Sequence, residues 1–281
     1  MIQTRQLTAD LRYGEAPRWH AGRLWISDVH GYALKTIDLD GVARTVTEVP
    51  GRPSGMGFMP DGRLLLATAL DRRLCWVGTD GALSVAADLA DVATGVLNDM
   101  VVDGAGRAYV GDTGFNLAAG ESPRNGRLLL FTEAGGVRVA AEDVAFPNGC
   151  VVMPDGGGLI LAETFARRLT RFAVADDGML HDRHVLAELE APPDGICLDA
   201  EGGVWAALPE ASRFVRIGPN GAVDAVIDAP APWAIACVLG GPDRRTLLMS
   251  SADTDLHRLR NGDSSGRVDA VEVDVPGAGW P

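Results

Sequence analysis

Four oxygen-bearing side chains recur at matching places along this 281-residue sequence. Glu15 stands in Gly14-Glu15-Ala16-Pro17 and Asn98 in Asn98-Asp99. Asn148 stands in Pro147-Asn148-Gly149 and Asp194 in Pro193-Asp194-Gly195. Each opens a short apolar run that leads into a turn signal. Ser54 and Ala234 hold the same place in two further runs. If these places converge, two carboxylates and two carboxamides meet at one point. Such a set suits a hard divalent cation, which takes oxygen ligands and completes its shell with water. Calcium is the expected ion. Softer metals fit less well, because no His or Cys shares the position. Asp194 and Glu15 are also candidate general bases, since a carboxylate can accept a proton from attacking water. The plainer reading is that Asn and Asp cap turns at loop–strand junctions. Recurrence of four donors at one place favours the metal, because unpaired polar groups in a dry core cost about 2 kcal/mol or more each.

What could bring four distant residues together is an internal repeat. LNDMVVDGAGRAYVGDTG (97–114) is echoed in FPNGCVVMPDGGGLILAETF (146–165), PDGICLDAEGGVWAALPE (193–210) and PSGMGFMPDGRLLLATAL (53–70). Fainter copies are GEAPRWHAGRLWISDVHG (14–31) and APWAIACVLGGPDRRTLLMSSAD (231–253). Each copy reads as a strand, a tight turn, a second strand, a loop and two further strands. Four strands in roughly 40–50 residues make a propeller blade. The sequence therefore predicts an all-β, six-bladed β-propeller over 1–281 as a single domain. A β-helix is the rival, but its repeats are shorter. RVDAVEVDV (267–275) alternates as a strand, and IQTRQLT (2–8) is expected to pair beside it and close the ring. In a propeller, equivalent positions on the innermost strands surround the channel axis. Gly55, Gly149 and Gly195 follow those positions, either as turn glycines or to keep the channel mouth open.

The totals bound the function. Acidic residues outnumber basic ones 38 to 25, a net charge of −13. That argues against a nucleic-acid or anionic-membrane partner, which needs basic patches. All but one of the 25 basic residues are arginine, and Lys35 lies in a run read as an outer strand. Lysine-based covalent catalysis is therefore not expected. The N-terminus has no signal-like apolar core, and no apolar run is long enough to span a membrane. Cys75, Cys150, Cys197 and Cys237 are far apart and read as buried free thiols, which suits the cytoplasm. A small-molecule substrate and a monomer or small homo-oligomer complete the expectation. No GxSxG elbow or P-loop is present. His181 and His184 sit in a polar run and read as a solvated segment. Gly111 to Asn116 begin a long loop that lines the pocket mouth or holds a second calcium, or is an ordinary loop. Glu163, Thr164 and Phe165 occupy the equivalent place in the next copy and read as pocket wall.

These motifs resemble the senescence-marker-protein (regucalcin) and gluconolactonase family of six-bladed propellers. The resemblance is carried by Gly14-Glu15-Ala16-Pro17-Arg18-Trp19, Asn98-Asp99, Pro147-Asn148-Gly149, Pro193-Asp194-Gly195-Ile196 and Gly240-Gly241-Pro242-Asp243. It implies that Glu15, Asn148 and Asp194 bind the metal, with Asn98 as a fourth ligand or a substrate contact. It implies lactone hydrolysis, with Asp194 as the catalytic carboxylate. Phosphotriester hydrolysis at the same metal and a non-catalytic calcium-binding propeller are the alternatives. One departure stands out. Sugar-lactone members carry Arg two residues before the asparagine, where this sequence has Val96. That loss implies a less polar substrate, or an arginine from elsewhere, with Arg18 and Arg52 as candidates.

Overall fold

The computed structural model describes residues 4–279. Six four-stranded antiparallel sheets follow one another round a ring. The innermost strands are Gly14–His20, Pro53–Phe58, Leu97–Val102, Pro147–Val152, Ile196–Leu198 and Trp233–Gly240, in blades I to VI. Each meets the innermost strand of the next blade, and Trp233–Gly240 meets Gly14–His20 to complete the circle. The sequence dictates this radial order. Inner and second strands such as Pro147–Val152 and Gly158–Glu163 are buried along their whole length and mostly apolar, apart from Asn148 and Glu163. Outermost strands such as Leu83–Asp88 present most of their side chains to water. Turns between the first two strands use left-handed glycines, as at Gly62 and Gly106, where a side chain would be strained.

The blades are held face to face by apolar clusters, one at each junction and a second between blades VI and I. Met56, Leu64 and Leu66 of blade II pack on Leu34 of blade I. Leu65 and Leu74 meet Leu97, Met100 and Val102 across the next junction. Similar clusters join blades III and IV, IV and V, V and VI, and VI and I. The ring closes as expected. Arg5–Leu11 lies outermost in blade VI and pairs antiparallel with Ser265–Glu272. Ile2 and Gln3 of the expected closing strand lie outside the described residues. The chain after that strand folds back under the ring, where Asp199 bridges Gly277.

The glycines that follow the axial positions serve neither expected purpose. None has a left-handed backbone. A Cβ on Gly55 would lie 2.3 Å from the Met100 nitrogen in blade III. One on Gly149 would lie 2.5 Å from the Ile196 nitrogen, and one on Gly195 2.3 Å from the Ala236 Cβ. Their lack of a side chain lets neighbouring inner strands touch. Inter-blade hydrogen bonds follow, from Gly149 N–H to Asp194 O at 3.3 Å and from Gly195 N–H to Ile235 O at 2.9 Å.

The four cysteines are buried and form no disulfide, although the Cys197 and Cys237 sulfurs lie 3.7 Å apart. His20 stacks on Phe58 with centroids 3.7 Å apart, which fits a structural role. His181 and His184 lie on an outer strand, with most of that strand exposed. The only α-helix among the described residues is Leu256–Arg260, and none there is long and apolar enough to cross a membrane. We expect Gly55→Ala to destabilise the fold by about 1–3 kcal/mol through overpacking against backbone. Gly104→Ala, where nothing lies within 4 Å, should stay within about 0.5 kcal/mol. Urea denaturation of the two variants measures the difference.

Candidate active site at the channel mouth

A cavity of about 280 Å³ opens at the end of the channel where the inner strands begin. It is near the small end of the roughly 300–1,000 Å³ typical of small-molecule sites. Glu15, Ser54, Asn98, Asn148 and Asp194 all line it. All four expected donors thus line one cavity. Ala234, at the sixth position, is fully buried and offers no donor.

Hydrogen bonding fixes how the two carboxamides present themselves. Asn98 Nδ2 donates to the Pro147 carbonyl at 3.0 Å. A carbonyl can only accept, so the amide nitrogen faces that way and Oδ1 is left over. Thr164 Oγ1 donates to the Pro193 carbonyl at 2.9 Å and therefore accepts from Asn148 Nδ2 at 3.2 Å. A further hydrogen bond from Asn148 reaches Asp194. Both amide nitrogens are occupied by protein acceptors, which leaves carbonyl oxygens for a ligand.

Asp194 is buried, Glu15 is partly buried, and the two are close enough to repel. Burial pushes the Asp194 carboxyl well above the usual range, and the Glu15 charge adds to it. Burial also raises Glu15, to about 7, with Asp99 adding to the shift and the Arg52 guanidinium opposing it. Tyr13, which lines the same cavity, is raised by burial and by both carboxylates, so it stays protonated. Its hydroxyl accepts from Trp233 Nε1 at 3.1 Å. Among the described residues no three of His, Cys, Asp or Glu are grouped as a metal site. Here the donor set is two carboxylates and two carboxamide oxygens. It fits a hard cation: acids that repel at a buried site are relieved by positive charge, and every donor is oxygen.

Of the expected substrate contacts, Arg52 and Phe165 line the cavity together with Asn98. The Arg52 side chain makes no hydrogen bond or ion pair among the described residues, and its Nε is buried without a partner. Arg18 and Glu163 do not line it, which corrects the expectation for both. Arg18 lies three residues deeper along its strand and crosses the channel from blade I to blade III. Its Nη2 pairs with Asp99 Oδ1 at 2.9 Å and also donates to the Met100 carbonyl. Burial still raises the Asp99 carboxyl, although Arg18 and the Met100 N–H pull it down. Glu163 ends its strand with its side chain turned sideways, between Arg168, Arg183 and Thr170. Burial alone would raise it, but hydrogen bonds from Ala145 N–H, Thr170 and Arg183 hold it below the usual range. Alternation along a strand explains the result: Glu163 points away where Thr164 and Phe165, in the following turn, reach the cavity.

The loop after Gly111 does line the mouth, through Thr113, Phe115, Asn116 and Leu117. Asp112 is not set up for a second calcium. Its oxygens accept from Thr94 N–H, Thr94 Oγ1, Gly95 N–H and Gly114 N–H, at 2.7–3.1 Å. His30 and Tyr13 line the cavity although no sequence motif marks them, and Trp233, whose sequence fits either core or pocket, lines it too. His30 Nδ1 lies 2.7 Å from Ser264 Oγ and its ring stacks on Tyr13 at 5.1 Å. Burial lowers its pKa, with the Arg52 charge reinforcing the shift. Tyr13 was legible in principle, because it precedes Glu15 by two residues, as Arg52 precedes Ser54.

Residues 13–253 match the family model described as SMP-30/Gluconolactonase/LRE-like region. The chain belongs to that family. It is 29% identical to pentonolactonase XacC of Haloferax volcanii, over 99% of this chain and 93% of the relative. It is also 29% identical to 6-deoxy-6-sulfogluconolactonase of Pseudomonas putida, over 95% and 94%. A solved regucalcin from Agrobacterium tumefaciens, titled a calcium-binding protein, superposes with a TM-score of 0.85 over 100% of this chain and 97% of that one, at 23% identity. That last likeness speaks to the fold of this family member.

Two outcomes follow from these electrostatics. With a strong chelator present, stability should fall as pH rises from about 4.5 towards 7. The folded Glu15 binds its proton more tightly than the unfolded 4.5, so over that window the folded state holds more protons. Melting curves across pH, with and without divalent ions, check the slope and its removal. Separately, Arg18→Ala should cost about 3–5 kcal/mol, because it leaves Asp99 buried without its partner. A double variant, Arg18→Met with Asp99→Leu, should recover much of that stability.

Proposed function

We propose that this protein is a metal-dependent lactonase that opens a small cyclic ester to the hydroxy acid. The observation that carries this reading is the axial set itself: a buried and a partly buried carboxylate that repel each other, beside two carboxamides whose nitrogens are tied away. Its setting supports it, since the relatives named above are called lactonases along nearly their whole length. Glu15, Asn148 and Asp194 would hold the ion, with Asn98 as fourth ligand or substrate contact. The donor chemistry favours calcium, with magnesium, manganese or zinc as alternatives. Such a cation would polarise the lactone carbonyl and stabilise charge developing on its oxygen.

The chain's own residues do the rest. Asp194 takes the proton of the attacking water as its oxygen bonds to the carbonyl carbon; Glu15 is the alternative acceptor. When the ring C–O bond breaks, the same carboxyl returns the proton to the departing alkoxide. Arg52 approaches the cavity with an unpaired guanidinium, which suits a hydrogen bond to the substrate's oxygens. Arg52 stands two residues before Ser54, as Val96 stands before Asn98. The arginine expected in blade III is thus offered from blade II. Phe165 contributes apolar wall. Four buried thiols without a disulfide fit a cytoplasmic enzyme.

The test is a panel of lactones and aryl esters assayed after exhaustive chelation and after adding each metal. Activity should vanish with the metal and return with it, and the melting temperature should fall and recover in parallel. Asp194→Asn keeps an oxygen donor but cannot accept the proton. With the site shown to be full by metal titration, its turnover should remain about 10²–10⁴-fold down. Near wild-type turnover in that saturated variant would move the base to Glu15. A chain that binds the ion yet opens no lactone or ester would be a binding protein instead.

A further inference from the structure

The second tier of the cavity wall is built by the residues two places before each axial position. These are Tyr13, Arg52, Val96, Phe146 and Pro192 in blades I to V, and all five line the cavity. Two of them, Arg52 and Phe146, have left-handed backbones, at φ 65° and 63°. Glycine or asparagine would adopt that conformation at lower cost, so a bulky residue there is not explained by folding.

Phe146 does not stand alone. Its ring stacks on Phe165, with centroids 4.8 Å apart and planes at 15°. Phe115 completes the group, 5.7 Å from Phe146 and 5.8 Å from Phe165. Two backbone hydrogen bonds tie the turns together, from Thr164 N–H to Phe146 O and from Phe165 N–H to Ala145 O, both at 3.1 Å. Phe115 is fully buried, yet Phe165 leaves 48% of its surface exposed. A large aromatic side chain held half in solvent, beside a strained one, does little for the core. Leu256 and Leu259 of the short helix in blade VI also line this mouth, with Trp233. A polyhydroxylated ring placed against such walls would leave hydroxyls without partners.

Building on the lactone reading above, we propose that the substrate carries a hydrocarbon or aromatic substituent on its ring. Phe146 and Phe165, backed by the buried Phe115, bind that substituent, while the ring's ester faces the axial carboxylates and Arg52. Phe146 and Phe165 are specificity-determining residues for this chain.

The experiment uses the full chain with saturating manganese or calcium. It compares kcat/KM for unsubstituted γ-butyrolactone, γ-alkyl homologues of increasing length, a phenyl-substituted γ-lactone and D-gluconolactone. In the wild type each added methylene that reaches the wall should raise kcat/KM about threefold to fourfold, and D-gluconolactone should rank low. In Phe165→Ala, and more so in Phe146→Ala/Phe165→Ala, the ratio of long-alkyl to unsubstituted lactone should shrink at least tenfold. Phe165→Leu, which keeps apolar area, should retain most of it. A wild-type ratio near one, D-gluconolactone as best substrate, or a ratio unmoved by the Phe variants would each overturn the proposal. Calorimetric binding of the matching γ-alkyl lactams separates this from the lactone reading. If no lactone is opened, hydrolysis is wrong. The wall then stands only if alkyl lactams bind more tightly than the parent lactam and Phe165→Ala removes the difference.

Discussion

The inner strands of neighbouring blades touch because no side chain stands between them. At Gly55, Gly149 and Gly195 the nearest atoms of the next blade lie where a Cβ would sit. This close approach sets the radius of the ring at the cavity floor. It decides whether axial side chains from different blades can reach one another. A methyl group at any of these places would push backbone against backbone, and a close-packed interior has little room to absorb it. The apolar clusters between blades can tolerate some repacking. The glycine contacts, made to main-chain atoms at Gly55 and Gly149 and to Ala236 at Gly195, cannot.

Given that radius, the site is an electrostatic problem solved in layers. At the mouth, the partly buried Glu15 and the buried Asp194 lie close together and repel. One layer deeper, Arg18 spans the channel and pairs with Asp99, which keeps that acid from adding its full charge to the mouth. Arg52 opposes the negative charge from the side. The carboxamides of Asn98 and Asn148 are oriented by carbonyls and a hydroxyl outside the ring. An unpaired negative site is therefore preorganised, and its cost to the fold is what a bound cation would relieve.

The rim is less symmetric than the floor. Connections between second and third strands are short in blades I, II, IV and V. They are long in blade III, over residues 113–125, and in blade VI, over 254–264. These two blades face each other across a sixfold ring. Phe115 and Leu117 come from one insertion, Leu256 and Leu259 from the other. The floor carries the features common to the repeats, and the two insertions supply the walls that distinguish this chain.

The six copies, their strand order, the closing strand and the axial donors Glu15, Asn98, Asn148 and Asp194 could all be read from residue type and spacing. Those features depend on local pattern and on symmetry, and a repeat turns equal spacing in sequence into equal position in space. The arginines could not be sorted the same way. Arg18 and Arg52 were equal candidates, and only the packed ring sends one into the channel to Asp99 and leaves the other unpaired at the mouth. Glu163 was misplaced because its strand ends one residue before the wall begins, and one residue reverses the direction of a strand side chain. Tyr13, His30 and Trp233 meet from the first and last blades, at opposite ends of the chain, and the three-phenylalanine wall joins turns of two successive blades. Sequence by itself determined the fold and the ring of donors, since both repeat. Tertiary structure alone decided which charges are paired and what surrounds the substrate, since those contacts occur once and between segments that no local pattern links.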